Sequence, residues 1–113
     1  MMTEKQQAIF LSAILEMAAE VGLTNPFKSG DKGVVLGMTR QLSHTHEVEL
    51  SREHAVDGTS AADPTGPVWS TTLFEAEDKV AGLDGDLREV LAFNGLHATD
   101  ALRAAMSLIE VYS

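Results

Sequence analysis

The run Val34-Val35-Leu36-Gly37-Met38-Thr39-Arg40-Gln41, followed by Glu47-Val48-Glu49-Leu50-Ser51, decides how this chain folds. In the second piece acidic and apolar side chains alternate strictly, the period of a strand with one wet face. In the first, Val34, Leu36 and Met38 alternate with Val35, Gly37 and Thr39. Strands over 33–41 and 45–55 are expected. A helix over 32–48 is the competing reading, since Val34, Met38, Leu42 and Thr45 also fit a helical stripe. Gly33 and Gly37 weigh against it by about 1 kcal/mol each relative to Ala.

Outward from this centre, residues 3–22 place Phe10, Ala13, Ile14, Met17, Ala18 and Val21 at three-and-four spacing, which predicts an amphipathic helix. Thr3 and Gln6 have capping-box spacing, and the Met and Phe of this helix read as core. Residues 23–33 concentrate Pro, Gly, Asn, Asp and Ser and read as a loop. A second loop, long and mobile, is expected at about 57–67, followed by a third strand over 68–74. Asp84 or Asp86 is positioned to open a helix with Leu87, Val90, Leu91 and Phe93 as its apolar face and Asn94-Gly95 at its end. A last helix over 98–112 follows from Ala101, Leu102, Ala105, Met106, Ile109 and Tyr112.

The expected fold is α+β: one domain over 1–113, with a small antiparallel sheet of two or three strands against an N-terminal helix and a C-terminal helical pair. A mostly α-helical bundle is the alternative. Edge pairing or helix packing into a homodimer would cover apolar area that so small a domain struggles to hide.

Composition narrows the chemistry. The 113 residues include no Cys, which removes disulfides, thiolate nucleophiles and Cys-ligated metals. Seventeen acids against eight Lys plus Arg give a net charge of −9, opposed to phosphate-backbone binding and suited to a basic protein partner. Neither a signal peptide nor an apolar run of about 18 residues is visible, so a cytoplasmic protein that does not enter a membrane is expected. The glycines near Lys32 lack P-loop spacing, and no serine lies in a positioned-nucleophile frame.

Three of the four histidines, His44, His46 and His54, fall close together among glutamates. On a strand His44 and His46 share a face, so two imidazoles could meet one divalent metal ion at about 2.0–2.1 Å. In an unbroken strand His54 would lie about 26 Å from His46, so the chain must fold back for all three to converge. The His-x-His pattern superficially resembles the first metal motif of the cupin family. Leu50 and Ser51 stand where that motif requires its Glu, and Trp69 where the second requires His, so no family is assigned on it.

Trp69, the only Trp, reads either as a core plug or as an interface anchor. With Glu75, Glu77 and Asp78 in the acidic stretch behind it, it forms the candidate binding region of a small acidic, non-catalytic binding or regulatory protein. Its ligand would be a protein partner or a small molecule. The alternative is a small metal-dependent or His-assisted enzyme built on His44, His46 and His54.

Overall fold

Thr3 closes the expected capping box with Gln6 and opens helix α1, Glu4–Glu20. Five strands follow: β1 (Phe27–Ser29), β2 (Val34–Gln41), β3 (His46–Arg52), β4 (Trp69–Ala76) and β5 (Leu87–Leu96), and then helix α2, Ala98–Tyr112. The computed structural model describes residues 3–29, 33–57, 60–76 and 87–113. All the strands lie in one antiparallel sheet in chain order, β1-β2-β3-β4-β5.

The class is α+β, with the middle of the chain extended rather than coiled. Two expectations need correction. Among the described residues the sheet has five strands rather than two or three, and a strand followed by one helix stands in place of the C-terminal helical pair. Of the stretch expected to form the first helix of that pair, Leu87–Leu96 is β5, while its expected caps, Asp84 and Asp86, lie outside the described residues. The loop over 23–33 also contains the short strand β1, whose Phe27 lies opposite Gly37. A Cβ at Gly37 would collide with the Phe27 ring and the Leu50 carbonyl oxygen, so the glycine admits the aromatic ring across β2.

Residues directly paired across an antiparallel sheet share a face. One row runs Met38–Leu50–Thr71–Phe93 and the next Arg40–Val48–Leu73–Leu91. Met38, Val48, Leu50, Trp69 and Leu73 of this face join Ile14 and Ala18 of α1, and the alanines and leucines of α2, in one core. Buried Ala98, Ala101 and Ala105 let α2 lie close to the strands. The Thr71 hydroxyl fastens it there by donating to the Ala101 carbonyl at 2.6 Å. On the opposite face the middle row is Thr39–Glu49–Thr72–Ala92, a polar surface as its sequence alternation requires.

Arg52 is buried at the end of β3, a costly place for a cation unless its donors are used. Its Nε and Nη2 donate to the Val35 carbonyl and its Nη1 to that of Ala62, tying the sheet to the long β3–β4 connection. Burial lowers its pKa, with Asp63 opposing the shift. The described part of that connection is held further by the His54–Ala61 bridge and by Glu53 N–H donating to the Val68 carbonyl.

Candidate functional site

Trp69 occupies the core position of its two readings. It is fully buried, and its indole N–H donates to the Pro64 carbonyl at 2.9 Å, so it presents no surface to a ligand. Glu75 lies near the other end of β4, between His46 of β3 and Arg88 of β5 in one cross-strand row. Arg88 reaches its carboxylate at 3.3 Å in a solvent-exposed ion pair, an interaction that contributes little to stability. Glu77 and Asp78 lie outside the described residues.

The histidines are distributed along β3 and beyond it. His44 is exposed in the β2–β3 turn, His46 begins the strand, and His54 follows its far end, bridged to Ala61. The seven residues of β3 put about 20 Å of extended chain between His46 and the His54 segment. His46 instead meets the last turn of α2. Its ring centroid is 5.1 Å from that of Tyr112, and its Nδ1 is 2.9 Å from the Thr45 hydroxyl. Among the described residues no three His, Cys, Asp or Glu side chains gather closely enough to hold a metal ion.

On the open sheet face Glu49 lies between Thr39 and Thr72. Partial burial among the strands, with repulsion from Glu47 added, holds its carboxyl above the ordinary value. Asp63 shows the opposite effect in the β3–β4 connection. Hydrogen bonds from the Thr65 hydroxyl and backbone N–H hold its carboxyl below the usual range.

Among the described residues, a largely apolar groove of about 340 Å³ lies elsewhere, lined by residues of α1, by Val21 just after it, and by α2. Half-buried Val21, buried Leu102 and exposed Met17 and Met106 line it, together with one acid, Glu20, and one base, Arg103. Met17, expected in the core, is 40% exposed, and Ala13 one turn earlier is exposed too. The legible signal was Ile9, Ala13 and Met17 at four-residue spacing, a second apolar stripe beside the Ile14–Ala18 stripe that faces the core. Unbranched methionine side chains adapt to varied apolar surfaces.

No helix among the described residues is long and apolar enough to cross a membrane. Compared with known proteins, the chain matches no family model, no curated protein and no solved structure.

Proposed function

We propose that this chain is an acidic, non-catalytic binding protein whose α1–α2 groove receives an apolar segment of a partner protein carrying basic flanks. The observation that supports this reading is the pair of exposed methionines, Met17 of α1 and Met106 of α2, that line one groove with Val21 and Leu102. Glu20 and Arg103 balance each other in its lining, so the selection for charge comes from the chain as a whole, which carries −9. A partner with lysines or arginines beside its apolar anchors is therefore attracted, and an acidic one is repelled. The acidic stretch containing Glu75, Glu77 and Asp78 adds to the long-range field that accelerates encounter.

A designed amphipathic Leu/Lys peptide and its Leu/Glu counterpart serve as probes. With methyl-labelled methionines, the Leu/Lys peptide should shift the Met17 and Met106 signals and leave buried Met38 in place. Its affinity should fall as salt is raised. Equal binding of both peptides, or binding that moves neither groove methionine, would refute the assignment. A melting temperature raised by zinc would point instead to the alternative built on His44, His46 and His54.

A further inference from the structure

We infer that β5 is a self-association edge, where a second copy of this chain pairs antiparallel with the first and joins the two sheets into one. β5 is an outer strand of ten residues, with β4 as its only strand neighbour among the described residues. An outer strand offers a free row of backbone donors and acceptors, and proteins commonly blunt such edges with charge. Here Val90, Leu91 and Phe93 are 43%, 40% and 41% exposed. Leu87–Leu96 contains one cation, Arg88, and one anion, Glu89, so the edge is locally neutral in a chain of net charge −9. A second copy is thus admitted at this edge, although the bodies of two such chains repel one another.

The register follows from the strand's irregularities. The pairing of β4 with β5 shifts between Leu73 and Phe74, leaving Val90 as an extra residue, and again between Trp69 and Thr71, leaving Asn94 and Gly95 against Ser70. The regular run between these bulges is Leu91-Ala92-Phe93. A two-fold axis perpendicular to the sheet and centred on this run passes through Ala92. It sets Leu91 of each copy opposite Phe93 of the other, on the face that carries the helices. The small Ala92 side chains then meet on the opposite face. Both Leu–Phe pairs are cross-strand apolar contacts of the kind that stabilises sheets.

The ten residues of β5 give an edge about 33 Å long, enough for a continuous strand-to-strand contact between two copies.

Absence of native cysteine makes the test direct. Sedimentation of the full chain between low and high micromolar concentration should show a monomer–dimer equilibrium. Ala92→Cys should form a disulfide-linked dimer on mild oxidation, while Asn94→Cys should not. Phe93→Lys, with its fold checked by circular dichroism, should weaken association at least about tenfold. A strictly monomeric chain would overturn the proposal. So would a dimer unaffected by a folded Phe93→Lys variant, or cross-linking at residue 94 in place of 92. The cross-link keeps the test decisive if Phe93→Lys fails to fold.

Discussion

Glu49 carries the clearest electrostatic consequence at the residue scale. Its row neighbours Thr39 and Thr72 are uncharged, and Glu47 on the same face repels it. Burial and this repulsion raise its folded pKa, so the folded chain binds the proton more tightly than the unfolded chain. The associated stability is fully present below the unfolded pKa and is lost as pH rises through the folded one. Glu49→Gln should therefore raise the melting temperature at pH 7. The difference should shrink on acidification and vanish below the ordinary carboxyl value of 4.5. Parallel thermal melts of both chains from pH 3 to 8 measure it, and a gap independent of pH would contradict the argument. Asp63 has the opposite sign, its lowered pKa adding stability that is lost only when acid reaches it. Trp69 shows what composition alone leaves open. Its residue type suits both a core and an interface, and it is the packing of the sheet and helices around it, with the Pro64 carbonyl taking its N–H, that decides for the core.

At the scale of elements, the sequence was most legible where one period ran without interruption. Glu47-Val48-Glu49-Leu50-Ser51 lies within β3, and the alternating run from Val34 is β2. The last helix has the expected limits, 98–112, because its buried stripe is continuous. β5 carries a helical spacing for a physical reason. Each bulge adds residues to one strand, so the apolar positions Leu87, Val90 and Leu91 acquire the three-and-four spacing of a helix. Asn94-Gly95, taken for a helix end, is the second bulge, with Gly95 at a φ of +69°. No atom lies within 4 Å of a Cβ built at Gly95, so Gly95→Ala would be strained by its backbone alone, at about 1–2 kcal/mol. Denaturant titration should show that loss, and an unchanged midpoint would exclude a left-handed requirement there. β1 escaped notice because three residues show no period. The groove was partly visible in the second stripe of α1, but the position of α2 beside it belongs to tertiary packing, which a single helix's spacing does not contain.

At the scale of the molecule, the two proposed contacts use different parts of one layered body, the α1–α2 groove and the β5 edge. A dimer formed through β5 would keep both grooves available, making the assembly bivalent towards a partner that presents two suitable segments. Linked sites of this kind gain overall affinity without any new contact, provided that the partner can span them.

Every sheet neighbour is also a neighbour in chain order, whereas the alanine-lined helix that covers the strands comes after all of them. During translation the hairpins can therefore close one by one while Val48, Leu50, Trp69 and Leu73 still face solvent, waiting for residues beyond Leu96 to leave the ribosome. Such an interval exposes an apolar sheet to chaperones and to other nascent chains. A chain stopped after Leu96 should bind an apolar dye strongly and melt without a cooperative transition. Cooperative melting of that shortened chain at the full-length temperature would show that the sheet has no need of its late cover.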